Sequence, residues 1–216
     1  LRLFNQLENK DDHPFAIFLG GAFAFDMMSM SETLPEVKDG ENTCPDFVYY
    51  LAETLVIIDH ERRSSEILGN IFTGTEQQKC YFEISRRLSA IKQILESTIE
   101  PLVFSVDSSA EKPAATTDIS DEKFCSNVDS LKEHIRAGDV FQVVPSRTFS
   151  LPCENTINAY HALKLSNPSP YMFYLQDSEF CMFGASPESA IKYQQSNRQV
   201  EIYPIAGTRP RGCRPD

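Results

Sequence analysis

Residues 200–212 of the chain are VEIYPIAGTRPRG. The β-branched and aromatic residues at 200–203 predict a strand. The turn after this strand contains Gly207, whose backbone N–H is accessible, and Thr208, whose hydroxyl can donate a hydrogen bond. Two arginines follow, and their forked guanidinium groups match a carboxylate. The stretch is typical either of the rim of an anion-binding site or of a surface turn with ion pairs.

The rest of the chain alternates between strand and helix patterns. Short runs rich in Val, Ile, Leu and aromatic residues predict strands at 47–51, 55–59, 65–72, 140–144, 171–175, 180–183, 190–193 and 199–203. Two further extended pieces, 15–19 and 23–25, flank Gly20-Gly21, where we expect a bend or a close packing contact. Apolar residues at helical spacing predict helices over 75–97, 121–137 and 156–165. The fold class predicted from these elements is α+β, with helices covering strands.

One internal boundary is visible in the composition. Residues 105–120, SVDSSAEKPAATTDIS, contain few apolar side chains and indicate a linker or a long exposed loop. They divide the chain into an N-terminal α+β region, residues 1–104, and a second domain that begins at residue 121 and continues to 216.

Charge and cysteine content narrow the class of protein. The 216 residues carry a formal net charge of −11, which disfavours a nucleic acid or an anionic membrane as partner, because both need a basic face. The six cysteines are scattered without metal-ligand spacing, and reduced thiols in a cytoplasmic protein are expected. No apolar run approaches the roughly 20 residues that span a bilayer.

Three more polar stretches in the second half are candidates for a site. AGDVFQVVPSR places Gln142 in the middle of a predicted apolar strand, where its amide needs a partner from the backbone or a ligand. NPSPYMFY combines two prolines with Tyr171 and Met172, which indicates either core packing or a surface for a flat apolar ligand. FGASPES, which contains Glu188, indicates a β-turn or a close approach of the backbone to a ligand.

The four stretches GDVFQVVPSR, NPSPYMFYL, FGASPES and EIYPIAGTRPRG occur in the order and at the spacing found in chorismate-utilising enzymes, which the chain closely resembles. Within that family it looks most like the large subunit, component I, of anthranilate synthase. The earlier stretch FLGGAFAFDM is also similar to the family's glycine-aromatic segment. The resemblance implies mostly antiparallel sheets packed face to face with helices on the outside, here incomplete.

Two positions distinguish the reactions that the family carries out. Relatives that add water have a lysine, acting as general base, where this chain has Gln142; neutral ammonia is already a nucleophile and needs no such base. Many aminodeoxychorismate synthases have a nucleophilic lysine where this chain has Ala206. The resemblance therefore implies an amination that uses free ammonia, as in anthranilate synthase. Component I of aminodeoxychorismate synthase is the alternative, because not every member of that group keeps the lysine.

The resemblance also assigns roles to individual residues. Gly207 and Thr208 match positions that contact chorismate, and Gln142 is the catalytic position just described. Pro170, Tyr171 and Met172 match residues that bind the inhibitor L-tryptophan in feedback-regulated members.

The implied lyase reaction converts chorismate and ammonia to anthranilate and pyruvate, with Mg²⁺ as cofactor. In the family the ammonia comes from glutamine through a separate amidotransferase subunit, component II. The family's Mg²⁺ ligands are expected beyond Asp216, so no metal ligand is assigned in this chain. The chain looks like an internal fragment that does not catalyse by itself. A non-catalytic tryptophan-binding fragment is the alternative from another functional class.

Overall fold

A computed structural model describes residues 7–8, 13–35, 44–74, 76–97, 114–205 and 207. The chain divides into two compact units, Leu1–Leu102 and Val103–Asp216, and each is described here by itself.

The described part of the first unit contains two antiparallel strand pairs, a 3-10 helix and an α-helix. These elements are β1 (Leu19–Phe23), the 3-10 helix (Phe25–Met30), β2 (Phe47–Leu51), β3 (Thr54–Asp59), β4 (Ser64–Gly69) and α1 (Gln77–Glu96). β1 pairs with β2 and β3 with β4. The strands predicted at 47–51, 55–59 and 65–72 and the helix predicted at 75–97 are present, each within a few residues of its predicted bounds. The extended pieces predicted at 15–19 and 23–25 are wrong, because β1 covers the glycine pair between them and the 3-10 helix begins at Phe25.

The Gly20-Gly21 pair does not bend the chain. Both glycines lie inside β1, opposite Tyr50 and Tyr49 of β2. The expected bend is therefore wrong, but the expected close contact at this pair is confirmed. A Cβ on Gly21 would lie 2.0 Å from the carbonyl oxygen of Val48, so only a residue without a side chain fits between the two strands.

Helix α1 packs on the β3–β4 pair through a stripe of residues at helical spacing. Ile84 is 6% exposed and is one of two buried apolar residues in the described part of the chain. A Cβ on Gly69, the last residue of β4, would lie 2.5 Å from Ile84 Cγ2 and 3.0 Å from Leu88 Cδ1. The absence of a side chain at Gly69 therefore lets the helix approach the strand closely.

The described part of the second unit contains three antiparallel strand pairs and two α-helices. The elements are β5 (Thr116–Thr117), α2 (Asp121–Ala137), β6 (Phe149–Ser150), α3 (Thr156–Ser166), β7 (Tyr171–Gln176), β8 (Cys181–Ser186), β9 (Lys192–Gln194) and β10 (Gln199–Glu201). The pairs are β5–β6, β7–β8 and β9–β10. Thr116–Thr117 falls in the predicted linker 105–120, of which residues 105–113 lie outside the described residues.

Both ends of α2 are capped. The Ser120 side chain accepts a hydrogen bond from the backbone N–H of Lys123, which satisfies one of the free N–H groups of the first turn. Gly138 ends the helix in the left-handed conformation, with φ of 84°. The helix predicted over 121–137 is confirmed.

The segment that follows α2 is not the strand that the sequence analysis predicted over 140–144. Residues 140–148 form no regular element, and Phe141 is fully exposed. A strand needs a hydrogen-bonded neighbour, and no described strand pairs with these residues. The apolar sequence therefore adopts an irregular conformation although its local strand propensity is high.

Residues 139–148 are called the return segment. Its first residue is attached to the C-terminal end of α2 and its last residue to the N-terminal end. Asp139 donates its N–H to the carbonyl of His134 in the last turn. At the other end, the N–H of Thr148 donates to Asp118 Oδ1 at 2.9 Å, just before the helix starts. A helix of 17 residues is about 25 Å long, and nine extended residue steps reach about 30 Å. The return segment must therefore be close to extended.

Helix α3 packs on the β7–β8 pair through aromatic rings. The ring of Tyr160 lies 5.4 Å from that of Tyr174 and 6.0 Å from that of Phe183, measured between centroids. The hydroxyls of Tyr174 and Thr156 are 2.7 Å apart, which ties the first residue of α3 to β7. The α+β class and the helix-on-strand packing agree with expectation. The face-to-face packing of sheets stays a prediction.

Candidate functional site

Gln142 lies near the middle of the return segment, between the two points that fix it to α2. Its side chain is exposed, so water can satisfy the amide. The expectation that it sits in a strand between Phe141 and Val143 is wrong for the reason given above.

The tryptophan-site candidates lie where β7 begins. Pro170 precedes the strand, and Tyr171 and Met172 are its first two residues, paired with Ser186 and Ala185 of β8. Successive strand residues point to opposite faces, so the two side chains cannot line the same surface. Met172 is half-buried on the face that carries Tyr174, and Tyr171 is exposed on the other.

Tyr171 lies close enough to Tyr203, just after β10, to affect the pKa of its phenol. The Glu201 carboxylate, which accepts a hydrogen bond from the Tyr203 hydroxyl at 2.9 Å, raises the pKa of Tyr203. The phenol of Tyr171 adds to this upward shift of the pKa. The beginning of β7 and the segment after β10 therefore lie near one another.

Gly207 is the described member of the predicted anion-binding turn. It is exposed, and a Cβ at this position would meet no described atom within 4 Å. Within the described part of the chain, no atom blocks the approach of a ligand to its backbone. Ala206 and Thr208, together with the two arginines after Thr208, lie outside the described residues.

The bend after β8 lies in the stretch FGASPES, a candidate from the sequence for which no individual residue was assigned a role. Glu188 donates its backbone N–H to Ser186 Oγ at 3.3 Å, and that hydroxyl donates to the Glu188 carbonyl oxygen at 2.7 Å. Glu188 Oε2 and Ser189 Oγ are buried and have no hydrogen-bond partner in the described part of the chain. Buried polar atoms are nearly always paired, so this bend is a candidate for ligand contact. The signal in the sequence was an acid directly after the small residues of FGASPES.

The structure thus brings together some of the predicted residues and not others. Tyr171 and Tyr203 are close, and β8, which pairs with β7, leads into the Glu188 bend. Within the described ranges, no hydrogen bond or ion pair joins Gln142 to Pro170, Tyr171, Met172 or Gly207. The same ranges contain no group of three His, Cys, Asp or Glu residues that could hold a metal ion. None of the described helices is both long and apolar enough to cross a membrane.

Comparison with known proteins identifies close relatives over the whole chain. Residues 2–216 match the family model described as chorismate binding enzyme. The chain is 48% identical over 215 residues to "Anthranilate synthase component 1" of Escherichia coli strain K12, covering 99% of this chain and 40% of that protein. It is 47% identical over 217 residues to the protein of the same name from Vibrio cholerae, covering 100% of this chain and 40% of the relative.

A solved structure supports the fold. The crystal structure of anthranilate synthase component I from Streptococcus pneumoniae superposes with a TM-score of 0.71, covering 87% of this chain and 42% of that one. At 23% identity, this likeness concerns the fold alone. The chain spans about 40% of the length of the curated relatives it matches. Because the family model covers nearly every residue, the chain belongs to the chorismate binding enzyme family.

Proposed function

We propose that the chain forms part of an anthranilate synthase component I, a cytoplasmic lyase of tryptophan biosynthesis. The complete protein converts chorismate and ammonia to anthranilate, pyruvate and water. The observation that carries the proposal is the near-half identity, along the whole chain, to relatives that bear this name. Gln142, in place of a lysine general base, supports ammonia rather than water as the nucleophile.

The proposed chemistry has two stages. Ammonia attacks ring carbon C2 of chorismate and loses a proton, while the C4 hydroxyl takes up a proton and leaves as water. Pyruvate is then eliminated and the ring becomes aromatic. Gln142 lies beside the incoming ammonia, and Gly207 and Thr208 hold the substrate through backbone N–H groups and a hydroxyl. The lack of any described atom within 4 Å of a Cβ at Gly207 supports this contact.

The leaving hydroxyl needs a proton donor, and we assign this role to Glu188. The support is the buried, unpartnered Oε2 of its side chain in the bend after β8. A protonated carboxylic acid at this position would transfer its proton to the C4 oxygen as the C–O bond breaks. Ser189 Oγ, also unpartnered, would hold the same part of the substrate.

Feedback inhibition by L-tryptophan belongs to the proposal, with Pro170, Tyr171 and Met172 as contacts. Because the side chains of Tyr171 and Met172 point to opposite faces of β7, an indole ring that packs on one of them meets the other only through its backbone. Pro170 fixes the backbone conformation at the start of the strand.

The proposed reaction also requires Mg²⁺ and an amidotransferase subunit. Mg²⁺ supplies Lewis-acid stabilisation of the substrate carboxylate, with ligands C-terminal to Asp216. The described residues contain no cluster of His, Cys, Asp or Glu that could hold the ion. Ammonia reaches the site from glutamine through an amidotransferase subunit, component II. The chain by itself is expected to be inactive, since it spans 40% of the relatives it matches.

The test uses the complete protein that contains this chain. It is incubated with chorismate, Mg²⁺ and ammonium at mildly alkaline pH, and the products are separated by chromatography with fluorescence detection. We expect anthranilate and pyruvate in equal amounts, and inhibition when L-tryptophan is added. Aminodeoxychorismate as product would favour the alternative synthase, and isochorismate or salicylate would contradict the role of Gln142. Tight tryptophan binding without turnover would favour a non-catalytic binding protein.

A further inference from the structure

The Arg147 guanidinium lies over two aromatic rings at the N-terminal end of α2. Its guanidinium carbon lies 5.3 Å from the ring centroid of Phe124, in the first turn of α2, and 4.7 Å from that of Phe149, in β6. The Nη1 group donates to Asp121 Oδ1 at the first position of the helix. With 21% of its side chain exposed, Arg147 is more buried than any other Arg or Lys in the described ion pairs.

These contacts make Arg147 different from the other described cations. Arg136 and Lys132 both lie on α2. Their side chains are 69% and 56% exposed, and each pairs with an acid on the same helix. Such exposed pairs within one helix contribute little to stability. Arg147 instead joins the helix to a segment distant in sequence, and two ring faces fix its planar group, so its contacts hold one conformation of the backbone.

Arg147 attaches the C-terminal end of the return segment to α2. The upstream end is fixed by Gly138 and by the hydrogen bond of Asp139 to the helix. None of the described strands pairs with the residues between these two ends. Within the segment Val143 and Pro145 are half-buried, and the positions of the middle residues depend on both ends staying in place. Gln142 is such a middle residue.

We propose that Arg147 is a positioning residue for Gln142: by clamping the return segment to α2 between Phe124 and Phe149, it sets where the glutamine amide meets the incoming ammonia. This inference rests on the proposed function for the role of Gln142, whereas the clamp itself rests on the geometry alone. β6 is only two residues long and pairs with an equally short β5, so it is a weak alternative anchor.

The experiment compares Arg147→Lys and Arg147→Met with the control Arg136→Lys in the complete protein. Lysine keeps the charge but loses the planar group that stacks between the rings, and methionine also loses the charge. Hydrogen exchange is measured by mass spectrometry on the peptides that contain Asp118 and Thr148, because each of these backbone amides donates a hydrogen bond to the other residue. We expect exchange to become about tenfold faster in Arg147→Lys and faster still in Arg147→Met, with no change in β7 and β8.

Steady-state kinetics provides the second readout. We expect the KM for ammonium to rise about tenfold in Arg147→Lys while the KM for chorismate stays within about twofold. A purely structural effect would lower the amount of active enzyme and leave both KM values unchanged. Phe124→Leu, which removes one ring from the clamp, should shift exchange and the KM for ammonium in the same direction to a smaller extent.

The outcomes separate this inference from the proposed function. If exchange at Asp118 and Thr148 is the same in the Arg147 variants and in Arg136→Lys, the clamp is refuted, whatever the enzyme does. If exchange rises but the KM for ammonium does not, the positioning of Gln142 is refuted. If the unmodified protein fails to convert chorismate with ammonium, the proposed function fails, and the exchange data still decide whether the clamp exists.

Discussion

Single residues decide how closely the chain can pack, and Gly21 is the clearest case. A Cβ at this position would lie 2.0 Å from the Val48 carbonyl oxygen and 2.9 Å from the Tyr49 Cα. Both are backbone atoms of β2, which cannot move aside without breaking the pairing of the two strands. The constraint on Gly21 therefore comes from its neighbour across the sheet, not from its own backbone conformation.

We expect Gly21→Ala to lower the free energy of unfolding by about 1–3 kcal/mol, the usual cost of an inserted methyl group in a tightly packed site. Urea unfolding followed by circular dichroism measures the change. Gly74→Ala is the matched control, because a Cβ there meets nothing within 4 Å; it should change the stability by less than about 0.5 kcal/mol. Equal effects of the two substitutions would contradict the proposed contact with β2.

Substitution of Glu188 is the most direct test of the proposed chemistry. Glu188→Gln keeps the shape of the side chain but removes the proton, so we expect kcat of the complete protein to fall about 10²–10⁴-fold. Glu179→Gln, in the exposed turn between β7 and β8, serves as the control and should leave kcat within about twofold. Retention of full activity in Glu188→Gln would rule out Glu188 as the proton donor.

At the scale of elements, α2 carries both helix caps and two carboxyl groups with lowered pKa values. Hydrogen bonds from its own backbone N–H and from the Ser120 side chain lower the pKa of Glu122. The hydrogen bond and charge of Lys132 lower the pKa of Asp129. A carboxylate at the N-terminus of a helix also complements the helix dipole.

We expect α2 to lose stability in acid. A carboxyl group whose pKa is lower in the folded state stabilises the fold above its unfolded pKa, and this contribution disappears as the pH falls through the folded value. The midpoint temperature of thermal unfolding should therefore drop as the pH falls from about 5 to about 3. In the double variant Glu122→Gln, Asp129→Asn the drop should be smaller, as measured by circular dichroism at 222 nm. The same pH dependence in both proteins would contradict the assignment.

Most of these elements could be predicted from the sequence because their signals are local. The apolar spacing and caps of α2, and the Asn167-Pro168 pair after α3, define the helices without reference to the rest of the chain. The Val, Ile and Leu residues of β3 and β4 likewise predict strands. The return segment could not be predicted, because a strand and an unpaired extended segment share the same local sequence and differ only in what lies beside them.

The candidate site was predictable to a smaller extent. The stretches that contain Gln142, Tyr171 and Gly207 could be selected by residue type and family resemblance. The proximity of Tyr171 to Tyr203, across about 30 residues of sequence, depends on tertiary packing that no local pattern encodes. The unpaired oxygen of Glu188 likewise becomes visible only when its surroundings are known.

At the scale of the whole molecule, the described residues bury little apolar surface. Their two buried apolar residues are Ala16 and Ile84, whereas Phe25 and Met30 are each 79% exposed and Phe141 is fully exposed. Apolar surface of this extent is typical of faces that pack against other parts of a protein. The relatives in the family are longer than this chain, which spans 40% of them.

We therefore expect the 216-residue chain to bind an apolar fluorescent dye such as anilinonaphthalene sulfonate, because the exposed rings offer binding sites. The complete protein should give a weaker signal per mole at the same concentration. The measurement is a fluorescence titration of both proteins. An equal or weaker signal from the chain alone would show that its apolar side chains are covered without further segments.

The return segment also restricts how the sequence can change in length. It spans α2 from end to end with little slack, so the helix and the segment cannot lengthen independently. One extra turn in α2, about four residues, adds about 5.4 Å and requires about two more residues in the extended segment. An insertion in the helix alone is expected to pull Thr148 away from Asp118, whereas the paired insertion is expected to keep that hydrogen bond.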